Sequence, residues 1–395
     1  MLKAIPFNRP FVADGTEMRL GEVFANGHLS GDGPMTRRCQ ALLEEILGVP
    51  RVLLTTSCTH ALEMAALLLD LGPENEVVFP TFTFVSTVNA FVLRGVRPVF
   101  ADVRPDTLNL DEDHAARLIG SRTRALVPVH YAGVGCEMDA VNALAERHEL
   151  AVVEDNAHGL FGRYRGRMLG TFGRLATLSF HETKNISCGE GGALLLNDAS
   201  LIDRAEVLRE KGTNRSRFFR GQVDKYSWVD VGSSWVPSDV LAALLFAQLE
   251  MRERIQARRR QIWRYYADHL RDWALAQGVI LPSPPAHCEQ PYHMFYLLAP
   301  SLEDRQALIA HLKALGVHSV FHYLPLHLSP MGRRFGGAEG DCPVAEAVSD
   351  RLLRLPFFYE LTEGELARIV AGVRSFRVRA VGSDWLGEVR RKASA

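Results

Sequence analysis

Between residues 51 and 197, short apolar runs alternate with stretches of helical period. The runs at 51–55, 76–79, 98–101, 125–129, 150–154, 176–180 and 193–196 are candidate strands. Several are dominated by Val, Leu and Ile, as in strands covered on both faces. Helical patterns lie between the first five, among them 58–70, 84–93 and 138–149. This alternation predicts an α/β fold with a mostly parallel sheet flanked by helices and right-handed crossovers. Residues 201–234 begin as a helix and then become a polar, aromatic-rich loop from Gly212 to Gln222. Apolar periodicity predicts one long helix from about 238 to 270, followed by the connection Leu281-Pro-Ser-Pro-Pro285. A strand at 294–298, a helix at 302–315, a strand near 318–322 and a helix at 363–375 predict a smaller C-terminal α+β domain. The expected division is a large domain with an N-terminal arm at 1–250, a small domain at 251–377 and a tail at 378–395.

Composition narrows the field. A chain of 395 residues exceeds one small core, and two domains are the natural reading. Its 47% apolar and 23% charged residues are ordinary globular values. The formal net charge of −1 gives no general attraction to nucleic acid or anionic lipid. The basic run 252–260 therefore reads as a solvated helix face. Six cysteines are scattered without a C-x-x-C pair, which speaks against a disulfide framework and a zinc site and for a reducing compartment. Met1-Leu2-Lys3-Ala4-Ile5-Pro6 lacks the apolar core of a signal peptide, and no run reaches the roughly 18 apolar residues of a membrane helix. The expectation is a cytoplasmic protein with no metal, nucleic-acid or membrane partner.

Four segments carry candidate chemistry. Six of the 45 basic residues are lysine, and one of them, Lys184, follows a strand in Ser179-Phe-His-Glu-Thr-Lys184, ahead of Gly189-Glu-Gly-Gly192. This is either a surface lysine in a loop or an amine at a sheet edge, where partial burial would keep some of it neutral and nucleophilic. Asp155 ends the strand Val152-Val-Glu-Asp155. It either caps a following helix or pairs with a protonated pyridine nitrogen. In Thr55-Thr-Ser57-Cys58-Thr59 a strand runs into a helix through small hydroxyl residues, giving ordinary capping or an anion site at the helix start. Phe84, in Pro80-Thr-Phe-Thr-Phe84, is a core or staple residue or a ring that stacks on a ligand. No Walker A or G-x-G-x-x-G motif supports a nucleoside-triphosphate or NAD site.

Taken in chain order, these segments resemble the DegT/StrS family of fold-type I, pyridoxal-phosphate (PLP) sugar aminotransferases. The likeness runs from about Ile5 to Phe376 and is most specific at 56–61, 80–87, 127–133, 154–158 and 179–192. It implies PLP as cofactor, Lys184 as the Schiff-base lysine, Asp155 as the pyridinium partner and Phe84 as the stacking ring. Ser57, Cys58, Thr59 and Ser179 would hold the phosphate, and His158 would lie near the ring hydroxyl. A homodimer with active sites shared across its interface is also implied. Ser234 stands where many members carry an Asn that reaches the partner's phosphate, and Asn156 stands where Ala is usual. Lys184 sets the chain apart from a dehydratase branch with His at that position.

The stretches 29–33, 57–59, 181–185, 210–216 and 219–226 resemble one subgroup of the family. That subgroup moves an amino group from L-glutamate to the 4-keto carbon of dTDP-4-keto-6-deoxy-D-glucose, giving dTDP-4-amino-4,6-dideoxy-D-galactose. Asp32, Arg215, Arg220, His322 and Tyr323 are then candidate substrate contacts. The Arg-rich loop would cover a site, in its own or a neighbouring subunit, unless it is simply solvated; His322 has a structural alternative too. Other readings are an aminotransferase for another keto-sugar nucleotide at C3 or C4, one for a free ketose or cyclitol, and a non-catalytic PLP-binding regulator.

Overall fold

The computed structural model describes residues 3–379 together with Trp385 and Gly387. The rest of the tail expected at 378–395 lies outside the described residues. Seven strands form the main sheet: β1 (Arg51–Thr55), β2 (Glu76–Pro80), β3 (Arg97–Ala101), β4 (Thr123–Leu126), β5 (Ala151–Asp155), β8 (Leu175–Ser179) and β9 (Gly192–Leu196), in the order β1-β9-β8-β5-β4-β2-β3. Six run one way, and β9 runs antiparallel to both its neighbours. The predicted strands match these within one to three residues at each end. Their near-continuous burial follows from helices on both faces.

Two short strands, β6 (Arg163–Tyr164) and β7 (Arg167–Met168), form a hairpin that pairs with β10 (Cys288–Glu289). A third sheet, ordered β11-β13-β12, comprises β11 (Tyr296–Leu298), β12 (Val320–Phe321) and β13 (Leu352–Arg354). It packs with the helices Leu302–Ala314 and Glu363–Ser375 around Trp273, Phe295, Leu312 and Phe358. Ile5 from the N-terminal arm joins this core and bridges Val317. A separate cluster spans the two parts of the chain, joining Phe82 and Tyr131 to Met294, Tyr296 and Leu352.

One predicted element divides. The long helix expected at 238–270 is two helices, Asp239–Glu250 and Arg252–Gln277, meeting at Met251. The first is apolar nearly all round and lies in the core beneath the main sheet. The second buries a stripe (Ile262, Tyr266, Leu270, Trp273) in the C-terminal core. One straight rod cannot serve both cores, and apolar periodicity continues through the bend without marking it. Two N-terminal helices, Thr16–Asn26 and Pro34–Leu47, were not predicted. The second is capped from a distance, with Asp239 accepting from Met35 N (3.0 Å) and Thr36 N (2.7 Å). No helix among the described residues is long and apolar enough to cross a membrane.

Candidate active site

Strands β1, β2, β5 and β8 end at the same edge of the sheet, where an open α/β sheet binds its ligands. Asp155 closes β5 and sits in register with Thr177 of β8. Its side chain is 4% exposed, accepting from Thr87 Oγ1 (2.7 Å) on one oxygen and from Ala157 N (3.1 Å) on the other. A turn follows it and not a helix, so the helix-cap alternative for Asp155 does not hold.

Lys184 lies in the connection between β8 and β9. That connection is short because β9 returns antiparallel, and Phe180 N to Gly191 O and Glu182 N to Gly189 O (both 2.8 Å) hold it. Lys184 N closes a turn on His181 O (2.9 Å). Burial pushes the Lys184 ammonium down to about 8, against the opposing charge of Asp155. The same burial pushes the Cys58 thiol up to about 12, so it stays protonated.

Ser57 caps the helix Cys58–Leu68, its hydroxyl accepting from His60 N (3.1 Å). Thr59 Oγ1 meets Ser86 Oγ at 2.9 Å, and Cys58 Sγ reaches Thr177 Oγ1 at 3.5 Å. Ser179 ends β8 opposite Gly192, its hydroxyl 3.5 Å from His181 N. Gly192 lies hard against the start of this helix: a Cβ there would stand 2.3 Å from Cys58 N and 2.4 Å from Ser57 C. Gly192→Ala should therefore force β9 off the helix start. We expect a loss of about 1–3 kcal/mol, read by thermal unfolding, together with faster release of bound PLP.

Phe84 precedes the helix Val85–Val92 and is 57% exposed, which rules out a core role. Its ring is 6.3 Å from Tyr323, which in turn stacks on His322 at 3.5 Å. His158 is buried and stacks on His293 at 4.3 Å, and its Nδ1 has no hydrogen-bond partner. Burial holds His158, His293 and His322 well below the ordinary imidazole value, aided by the charges of Lys184 and Arg354.

Five neighbours were not anticipated. Thr87 orients Asp155. Tyr131 OH and His322 Nδ1 share a 2.9 Å hydrogen bond. His293 Nδ1 donates to Asn185 Oδ1 (2.9 Å), tying the residue after Lys184 to the C-terminal part of the chain. Arg354, at the end of β13, extends its charge to Lys184. It was detectable as the one charge within Leu352-Leu-Arg-Leu355.

The remaining candidates do not join this cluster within one chain. Asp32 accepts from the buried Arg209 (2.6 Å). Arg215 lies over the ring of Phe219, and Arg220 pairs with Glu206 (2.7 Å). Ser234 is exposed and bridges Glu210. Among the described residues, no hydrogen bond or ion pair joins Asp32, Arg215, Arg220 or Ser234 to Lys184 or Asp155.

PLP fits these residues. An exposed aromatic face, an unpartnered imidazole nitrogen, a buried carboxylate without an ion-pair partner and a partly neutral amine share one sheet edge. A mostly parallel seven-stranded sheet with a smaller α+β part is the architecture of PLP-dependent aminotransferases of fold type I. The chain belongs to the DegT/DnrJ/EryC1/StrS aminotransferase family, whose model matches residues 14–374. It is similar to the spore coat polysaccharide biosynthesis protein SpsC of Bacillus subtilis, 30% identical over 378 residues covering 94% of this chain and 96% of SpsC. The aminotransferase TlmJ from Streptoalloteichus hindustanus superposes with a TM-score of 0.86 at 32% identity, covering 94% of this chain and 98% of TlmJ. DesV of S. venezuelae, solved in complex with a ketimine intermediate, gives 0.84 at 30% identity, covering 95% of this chain and 98% of DesV. The protein is a PLP-dependent sugar aminotransferase.

Proposed function

We propose that this enzyme moves the amino group of L-glutamate to the 4-keto carbon of dTDP-4-keto-6-deoxy-D-glucose, giving dTDP-4-amino-4,6-dideoxy-D-galactose. The observation that carries the chemistry is the placement of Lys184, its ammonium pushed down by burial to about 8, within electrostatic reach of the buried Asp155 at one sheet edge. The choice of sugar and nucleotide rests on the subgroup-like stretches at 29–33, 210–216 and 219–226.

In this reading Ser57, Cys58, Thr59 and Ser179 hold the cofactor phosphate at the helix start, Phe84 covers the ring and His158 lies beside its hydroxyl. When bound, PLP supplies an electron sink for the donor's α-carbon. Asp155 holds a proton on the pyridine nitrogen. Lys184 Nζ would take the proton from that carbon and deliver it to the cofactor carbon that keeps the nitrogen, which requires the neutral amine. Two half-reactions then share one set of residues, and the kinetics are ping-pong.

Exposed apolar side chains, including Trp228 (79% exposed) and Phe84, support a homodimer in which a second copy covers the site. Ser234 and the loop bearing Arg215 and Arg220 would then serve the partner's site. Six free cysteines suit a reducing cytoplasm.

Because burial disfavours the ammonium, the neutral fraction of Lys184 grows as pH rises through about 8 and not through the ordinary 10.5. Capture of PLP by cofactor-free protein, followed by absorbance, should accelerate with pH and level off above about 8. The whole reading is tested by incubating the enzyme with L-glutamate and the keto-sugar nucleotide and assigning the product by NMR. An axial amine at C4 is expected. An amine at C3, or an equatorial one, overturns the sugar assignment.

A further inference from the structure

We propose that Arg259 is a positioning residue for Lys184, acting through His293 and Asn185. The proposal rests on the assignment of Lys184 as the reacting amine and deepens it. Arg259 lies in the helix Arg252–Gln277, within the basic run that the sequence reads as a solvated face. It is instead 4% exposed, and no carboxylate offsets its charge among the described residues. Burial alone pulls it below the ordinary arginine value. A cation left in this state is costly unless fixed dipoles satisfy it. Two backbone carbonyls do so here. Arg259 Nε donates to Tyr292 O (3.0 Å) and Nη2 to His293 O (2.6 Å), with the guanidinium over the ring of Phe357 at 4.7 Å. Tyr292 stands at φ 55°, in the left-handed region that a tyrosine rarely adopts, so the bend presenting both carbonyls to one fork must be held by its surroundings.

What the fork holds leads to the amine. His293 Nδ1 lies 2.9 Å from Asn185 Oδ1. Asn185 Nδ2 donates to Pro291 O (2.7 Å) and to Gln256 Oε1 (3.4 Å). Those two acceptors fix the amide, so its oxygen faces His293 and Nδ1 must carry the ring proton. Burial, with the charges of Lys184 and Arg259, keeps that imidazole neutral. Gln256 and Arg259 lie one turn apart on the same helix. A single rigid element therefore grips Asn185 both directly and through His293. The His293 ring also stacks on His158 at 4.3 Å. Asn185 follows Lys184, whose own N–H closes the turn on His181 O (2.9 Å). The Lys184 backbone is thereby anchored on both sides, and only its side-chain torsions remain to place Nζ. Misplacing a reacting group by about 1 Å can cost on the order of 100-fold in rate.

The test compares wild type with Arg259→Met, Arg259→Lys, Asn185→Ala and the double variant Arg259→Met with Asn185→Ala. Two quantities are read. One is the rate at which cofactor-free protein captures PLP, followed by absorbance. The other is kcat and KM for the half-reaction with L-glutamate. Arg259→Met should slow both capture and kcat about 10- to 100-fold, while KM moves by less than about threefold. Asn185→Ala should do the same from the other end of the chain of contacts. The double variant should lose little beyond the larger single loss, because both residues act through one contact. Arg259→Lys should recover part of the rate, having charge without the fork. Wild-type capture and kcat in Arg259→Met, with only Tm lowered, would overturn the proposal by marking Arg259 as structural alone. Fully multiplicative losses would overturn it too, by separating Arg259 from Asn185. If Arg259→Met does not fold, Arg259→Lys and Asn185→Ala decide: slower capture and kcat in both sustain the proposal, and wild-type rates in either overturn it. If wild type captures PLP but reacts with no amino donor, the aminotransferase reading fails on its own, while the capture comparison still judges Arg259.

Discussion

Replacing Lys184 with alanine is expected to lower kcat by about ten-thousand-fold or more, the upper range for loss of a positioned proton carrier. That factor corresponds to about 5.4 kcal/mol of barrier. The neighbouring groups offer no substitute. Cys58, pushed up to about 12, holds its proton. His293 and His322 are committed to hydrogen bonds with Asn185 and Tyr131. His158 has a free Nδ1, yet its depressed pKa makes it a poor base. Lys184→Arg should not rescue, because a guanidinium neither forms an imine nor gives up its proton near neutral pH. Single-turnover absorbance with L-glutamate is the check. A Lys184→Ala enzyme turning over within tenfold of wild type would remove the amine from the mechanism.

The main sheet was legible because each strand is a separate apolar run bounded by turn signals, and such runs declare themselves locally. The placement of Asp155 and Lys184 at one sheet edge was legible for a related reason. Asp155 ends one strand and Lys184 follows its parallel neighbour, so topology alone brings them to one edge. Tyr131, His293 and Arg354 come from segments whose local sequence says nothing of where they will meet. Their convergence depends on how the β11-β13-β12 sheet packs on Phe82 and Tyr131. The helix break at Met251 was hidden for a different reason, since apolar spacing is indifferent to a bend that changes which core receives it. Asp32 and Arg220 are a different case. Within one chain their partners are Arg209 and Glu206, contacts that local sequence does not announce.

Asp155→Asn should lower kcat by about 100- to 1,000-fold, the scale for removing one preorganised electrostatic partner, while leaving the fold intact. The asparagine keeps the size of the side chain: its Oδ1 can still accept from Ala157 N, and its Nδ2 can donate to the Thr87 hydroxyl, so both contacts that orient Asp155 survive with one reversed. What it loses is the negative charge that favours a protonated pyridine nitrogen. A purely structural Asp155 would tolerate the change in rate as well as in stability, because the turn needs an oxygen acceptor and not a charge. Thr87→Val separates the contributions further. It removes the 2.7 Å bond to Asp155 and should cost about three- to tenfold in kcat, in line with roughly 1 kcal/mol for one hydrogen bond. In the double variant the two losses should combine to less than their product, since Thr87 acts through the carboxylate that Asn has already replaced. Full multiplicativity would instead place Thr87 in contact with substrate or cofactor on its own account.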